Sequence, residues 1–486
     1  MWLIIVAPIL IIICFITRSY WLWGRGLLGS DGWYHFLYVK SIRDNRFRYP
    51  GNIDRFLIDC PYRHPPLFHY LLALISERSL LRVYKFIPSL IETTNFALLM
   101  IFILWFSHNM GFSEFELILA LVISGAVFMT ATASWDQSAP INPRGLGSLL
   151  YSIILLALFW FLYTENLFGI IFIGLALSAI LLSHRLTMQA ALFFLVSVIV
   201  YTVLWGFPII IIMGLIVSLG LGFVLAIALS RGFYIEVLKH HMATIDFFKE
   251  NVKLGLTKKR YPNGSISAVK HIIRNIPMNV WMIPVLLLTP FLFLDGSATD
   301  VFLLCCWVII GAFFFISFEG LSHLGGEIRY LMFLSFPAAV YIVMCAEELD
   351  FDPVFLMILM IVAGGGVVHI RNRVAYWNAI PNFSPGRDLM ELMCFLKHQK
   401  AKNVLSYPSK YNAYIALFGE KNVLGLIGHK NRDYYGGYQI SLQKMIIDYN
   451  IDLIVLEKGI PGVQEELCGK AKRIFENDGF TVFKVM

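Results

Sequence analysis

Long apolar runs separated by short polar breaks dominate the chain up to about residue 370. Such runs match the roughly 20 residues a helix needs to cross the ~30 Å hydrocarbon core of a bilayer. Spans are predicted near residues 2–16, 86–106, 114–133, 146–163, 167–183, 278–294, 300–317, 329–346 and 353–370. The run 187–230 is too long for one crossing. Trp205-Gly206-Phe207-Pro208 divides it, because proline lacks the N–H that would continue the helix. The pattern therefore predicts a polytopic α-helical membrane protein with about 11 transmembrane helices and its termini on opposite sides of the membrane.

Three polar stretches interrupt this pattern. Residues 18–84 form a long loop holding Asp31, Asp44, Asp54, Asp59 and many arginines, and within it Pro65-Pro66 opens an apolar segment, 67–75, too short to span and read as a surface helix. Residues 231–277 form a second, basic loop. From Arg371 the composition becomes that of a soluble domain: short strands are predicted at 403–407, 422–426, 452–456 and 481–485, and helices at 384–398 and 463–477. The expected organisation is a transmembrane domain, 1–370, whose first catalytic loop is 18–84, followed by a small α/β domain, 371–486, on the same face. Alternation of the spans gathers every chemically interesting polar feature on one face and leaves short turns on the other.

Composition sharpens this picture. Of 486 residues, 58% are hydrophobic and 15% charged, more apolar surface than a soluble protein of this length needs to fold. The net charge of +7, gathered in loops of one face, suits membrane lipids or a phosphate and argues against a nucleic-acid partner. None of the seven cysteines has metal-ligand spacing, although Cys394 and Cys468 share the polar tail and admit a disulfide. Residues 2–16 have the length of a signal peptide, but no small-residue cleavage site follows. Arg18, Trp21 and Trp23 read as an interfacial belt, and the segment as the first span.

Ser30-Asp31-Gly32-Trp33-Tyr34-His35, an acid followed by aromatics just past the first span, is the strongest local motif. With the arginine-rich segment after it and Tyr62-Arg63-His64-Pro65-Pro66-Leu67, it resembles the first loop of the GT-C superfamily of integral-membrane glycosyltransferases, to which oligosaccharyltransferase catalytic subunits belong. A second point of similarity is Glu327-Ile328-Arg329-Tyr330 at the start of a late span that contains Pro337. The resemblance implies a GT-C-like multi-span core and use of a polyprenyl-phosphate-linked sugar. It also implies that Asp31 acts on the acceptor, as general base or through a divalent cation such as Mg2+ or Mn2+. The chemistry asks for this independently: a sugar hydroxyl is a poor nucleophile until a carboxylate takes its proton or a metal lowers its pKa.

The other candidates follow from position. Trp135-Asp136 occupies the place of a second acidic motif in oligosaccharyltransferases, but with one acid rather than a pair; Asp136 reads as a metal ligand with Asp31, a sugar-hydroxyl acceptor or a loop cap. Arg144 at a span mouth has the fork that clamps a phosphate, and His184-Arg185 sits at a hairpin where charge must face water, protein or a lipid phosphate. By the resemblance Arg329 contacts the donor phosphate, with His323 as a further donor, while Glu327 and Arg329 alternatively pair with each other. Trp33, Tyr34, His35, Glu327 and Tyr330 are expected to line the substrate pocket. Lys239-His240-His241 reads as an interfacial helix face rather than a metal site, Glu92 is a lone acid early in a span, and Asp54 and Asp59 read as loop structure.

The resemblance and these residues together set the expectation: inverting transfer of a sugar from a polyprenyl-phosphate-linked donor to a glycan, lipid or protein acceptor at the plasma membrane, or at an ER-like membrane in a eukaryote. The alternatives are a transporter or flippase, which would show internal repeats and midplane groups not seen here, and a polymerase or ligase of lipid-linked saccharides. The tail lacks the Trp-Trp-Asp motif of oligosaccharyltransferases, which argues against asparagine as acceptor. Lysine and arginine counts at span ends place the Asp31 face in the cytoplasm, whereas the resemblance places it outside. The latter is adopted, since basic residues recruited to phosphates depart from a rule calibrated on inert loops.

Overall fold

The computed structural model describes residues 3–20, 31–50, 53, 55–57, 64–138, 141–242, 272–289, 296–317, 327–379, 386–407, 411–424, 442–459 and 469–486. The apolar runs are helical: α1 (Leu3–Ser19), α5 (Ile87–Asn109), α6 (Glu114–Thr130), α8 (Arg144–Thr164), α9 (Phe168–Leu181), α10 (Arg185–Leu204) and α11 (Ile209–Leu229). Short helices fill the polar stretches between them: α2 (Asp31–Asp44), α3 (Leu67–Ala73), α4 (Glu77–Val83), α7 (Thr132–Ser138) and α12 (residues 233–242). Met282–Leu288, Asp300–Ile316, Ser335–Glu348 and Pro353–Ala379 follow, the last running unbroken through Arg371. The break expected at Trp205–Pro208 is present, with Gly206 in the left-handed region at φ +69°.

Among the described residues six helices are long and apolar enough to cross a membrane: Glu77–Asn109, Arg144–Thr164, Arg185–Leu204, Ile209–Leu229, Ile328–Glu348 and Pro353–Ala375. Three more, Ile5–Ser19, Phe168–Leu181 and Asp300–Ile316, are apolar but shorter. The chain is an integral membrane protein. At 1.5 Å per residue a helix as short as α9 covers about 21 Å of a ~30 Å core, which is why a criterion of length passes over it.

Contacts divide the chain into two compact units, one of residues 1–23, 65–68 and 83–380, the other of 24–64, 69–82 and 381–486. In the first, Ser335–Ala346 is buried almost throughout, and Trp281, Tyr151, Tyr330, Tyr341, Phe96 and Phe194 are among its largest enclosed side chains. Small residues set how closely helices approach, as in membranes generally. A Cβ on Gly174 would lie 2.8 Å from Leu221, and one on Gly222 2.7 Å from Leu177, so α9 and α11 touch through glycine.

The second unit is built on a five-stranded sheet of order β2-β1-β3-β5-β4: β1 (Asn403–Tyr407), β2 (Asn422–Val423), β3 (Leu453–Glu457), β4 (Ala471–Glu476) and β5 (Phe480–Val485). The first three strands pair in parallel, while β5 and β4 add antiparallel. Leu405, Ile454, Leu456 and Phe483 face Leu442 and Met445 of the helix Leu442–Asp448. The helix Arg387–His398 packs against β5, burying Leu392 and Leu396. The first polar loop belongs to this unit too. Leu57 N–H donates to Val423 O at 2.8 Å, Val423 N–H to Arg55 O at 2.9 Å, and the Arg55 guanidinium to Ala416 O at 3.1 Å, extending the sheet at its β2 edge.

Three expectations are corrected. The helix predicted over 463–477 is not formed in its last turns, where Ala471–Glu476 is a strand joined to β5 around Asn477-Asp478-Gly479. Asp-Gly between two alternating runs favours a hairpin turn, and Phe475 stacks on Phe395 at 4.5 Å. The segment at 67–75 does not simply lie on a surface: Phe68, His69 and Leu72 are buried, and Arg43 donates to the carbonyls of Leu72, Ala73 and Ile75, capping the end of α3. Arg18, read as an interfacial anchor, is 3% exposed inside the first unit. Cys394 is an exposed free thiol, and Cys468, with which the sequence admits a disulfide, lies outside the described residues.

Candidate functional site

The motif expected as a loop is helical from its acid onward. Asp31 is the first residue of α2, and Trp33, Tyr34 and His35 lie in its first turns. Trp33 and Tyr34 are 3% and 6% exposed, Trp33 packing on Tyr414 at 4.7 Å and Phe418 at 5.3 Å. His35 pairs its Nδ1 with Nε2 of the buried His69 at 2.8 Å. Tyr38 and His64 complete an aromatic group around that pair, with ring centroids 4.9 to 6.4 Å apart. His64 entered the sequence reading only within the Tyr62–Leu67 stretch and His69 not at all, because only folding brings positions 35, 64 and 69 together.

In the first unit the 3-10 helix Glu327–Leu334 meets α7, α8 and α10, and α8 in turn meets both α7 and α10. These elements carry Asp136, Arg144, His184-Arg185 and Arg329-Tyr330, so the fold joins positions almost two hundred residues apart. Asp136 sits on the short helix α7 rather than in the expected loop. Arg144 opens α8, its N–H donating to Asn142 Oδ1 at 2.8 Å. Gly147, one turn later, lets α10 close in, since a Cβ there would overlap Thr187. His184 precedes α10 in extended conformation, with Nδ1 3.3 Å from Thr187 Oγ1.

A hydrogen-bonded chain crosses this region. Tyr330 OH donates to Gln189 Oε1 at 2.8 Å, which fixes the amide so that its NH2 donates to His241 Nε2 at 3.0 Å. His241 must then accept on Nε2 and stay neutral. Burial, reinforced by the Arg185 charge, pushes its pKa from 6.5 down to about 4. Gln189 and His241 were not chosen from the sequence as site residues. A buried glutamine within an apolar span was the available signal, because such groups are retained for packing partners or function.

This arrangement sets a pH dependence. Between pH 6.5 and about 4 the unfolded chain holds a proton on His241 that the folded chain does not, so stability rises with pH across that window and is lost as pH falls through it. Thermal unfolding of the wild type and of His241→Gln at pH 4.5 and 7 is expected to show a smaller acid loss in the variant. Equal losses in both would mean that His241 does not hold its neutral form.

His323 and the side chains of Asp31, Asp136 and Glu327 lie outside the described residues, as do Asp54 and Asp59. Among the described residues no group of three His, Cys, Asp or Glu is placed to hold a metal ion.

No protein-family profile and no curated protein matches the sequence. Solved structures do share the fold. ArnT from Cupriavidus metallidurans in the apo state aligns with a TM-score of 0.58 at 10% identity, over 98% of this chain and 97% of that one. The same protein bound to undecaprenyl phosphate aligns with a TM-score of 0.56 at 11% identity, over 99% and 97%. The likeness of fold thus extends over nearly the whole chain.

Proposed function

We propose that this protein is a GT-C-type glycosyltransferase that moves a sugar from a polyprenyl-phosphate-linked donor to a glycan, lipid or protein acceptor. The observation that carries the reading is the shared fold with ArnT along 98% of the chain, one of whose structures holds undecaprenyl phosphate. The meeting of the Arg144, Arg185 and Arg329 elements supports it, because a lipid phosphate leaving as an anion needs fixed positive charge where that charge builds.

In this reading Asp31 takes the proton of the acceptor hydroxyl as its oxygen bonds to the anomeric carbon. The bond from that carbon to the phosphate oxygen breaks on the opposite face, and the configuration inverts. Arg144, His184, Arg185, His323 and Arg329 hold the departing phosphate. Trp33, Tyr34, His35, Glu327 and Tyr330 shape the pocket, and Asp136 assists Asp31. A Mg2+ or Mn2+ ion held by Asp31 and Asp136 would lower the hydroxyl's pKa. The catalytic face is extracytoplasmic.

The test is transfer by the purified protein in detergent, offering polyprenyl-phosphate-linked sugars with and without EDTA. Release of polyprenyl phosphate with gain of a glycosylated acceptor is expected, and loss of that activity with EDTA would establish the cation. Binding of the donor without its consumption overturns the enzyme reading in favour of transport.

A further inference from the structure

A charge pair buried in the first unit is used by none of the steps above. Arg18, near the end of α1, is 3% exposed, and Glu92, in the second turn of α5, is 1% exposed. Each charge acts on the other. Neither oxygen of Glu92 has a hydrogen-bond partner among the described residues, nor have Nε and Nη1 of Arg18, beside which the Cys14 thiol is a weak acceptor at most. Burying such a pair is not a cheap route to stability, because apolar residues of similar volume commonly serve as well. Stability alone therefore does not account for it.

The remaining nitrogen of the guanidinium bonds elsewhere. Arg18 Nη2 donates to Phe128 O at 3.2 Å, an orphan carbonyl of the last turn of α6, and to Ser134 Oγ on α7 at 3.1 Å. It therefore bridges the break at Ala131, where the backbone leaves helical geometry. The guanidinium also lies 4.8 Å from the centre of the Trp135 ring. Ser134 passes the bond on to Ala131 O at 2.9 Å, and Trp135 Nε1 donates to Met129 O at 3.1 Å. Two consecutive residues of α7 are thus fixed by one buried cation, and Asp136 is the next residue.

We infer that Arg18 is a positioning residue: through its bonds to Phe128 O and Ser134 Oγ and its place over the Trp135 ring, it sets the orientation of α7 and so the place at which Asp136 is presented. The inference rests on the glycosyltransferase reading for its effect on rate, but not for the anchoring of α7.

The experiment compares wild type, Glu92→Gln, Arg18→Gln and the double variant in three measurements on the purified full chain: thermal stability, amide hydrogen exchange in residues 132–138, and kcat with KM for a lipid-linked sugar. Either single change strands a buried charge and is expected to lower Tm by roughly 5–10 °C, whereas the double change returns most of it. Glu92→Gln leaves the Arg18 bonds to α7 in place, so kcat stays within about threefold and α7 stays protected. Arg18→Gln, alone and in the double variant, speeds exchange in α7 and lowers kcat by about tenfold or more at nearly constant KM. A double variant that recovers stability, α7 protection and kcat together would make Arg18 merely structural and overturn the inference. Should the wild type consume no lipid-linked donor, the functional reading falls. The exchange data then decide alone, and unchanged protection of α7 without Arg18 sinks its anchoring role.

Discussion

Asp31→Asn is expected to lower sugar transfer by about 10³-fold while leaving expression, thermal stability and donor binding as in the wild type. General base catalysis contributes roughly 10²–10⁴-fold, and if a cation is also held by this carboxylate both contributions go together. Asparagine has the same shape and serves nearly as well at the start of a helix, so α2, which opens on residue 31, keeps its fold. The aromatic packing of Trp33 on Tyr414 and Phe418, two residues on, does not involve the acid's charge. Single-turnover release of polyprenyl phosphate from pre-bound donor separates chemistry from binding. Release at more than a tenth of the wild-type rate would remove Asp31 from the mechanism.

The second large effect is expected at Arg185. Replacing it by Gln should reduce kcat/KM for the lipid-linked donor by roughly 10²-fold, equivalent to about 2–3 kcal/mol, the usual scale for losing a charge-assisted contact to a phosphate that leaves as an anion. Lysine should restore only part of this, since it brings the charge without the planar fork. Binding of free polyprenyl phosphate should weaken in parallel, which distinguishes a phosphate contact from general damage to α10. The wild-type residue opens α10 beside His184, and its charge reaches His241, whose neutral form is held by Gln189. Arg185→Gln therefore also relieves some of the downward push on the His241 pKa. Unchanged affinity for polyprenyl phosphate would show that Arg185 faces something other than the donor.

Both variants test residues that were legible before folding. Local, strongly patterned features were readable because their signal lies in adjacent positions: spans from runs of apolar residues, the break at Trp205–Pro208 from proline and glycine, and β1, β3 and β5 from short runs rich in β-branched and aromatic residues. Where two local signals competed, the sequence misled. Residues 463–477 combine helix formers with an Asp-Gly turn, and pairing with β5 decided for strand along Ala471–Glu476. Arg18 followed the rule that arginine marks the membrane interface, and burial against Phe128 O and Ser134 overrode it.

The sequence by itself determined the class of molecule, the general placement of its helices and the acids and arginines with chemistry to offer, because hydrophobic period and residue type are local quantities. Tertiary structure decided which of them act together. No pattern along the chain says that Glu327–Leu334 meets α7, α8 and α10, that the first polar loop completes the edge of a sheet formed more than three hundred residues later, or that His35 finds His69. Those are encounters between distant segments, fixed by the burial of apolar faces and by close approaches such as that at Gly147, and they exist only once the chain has packed.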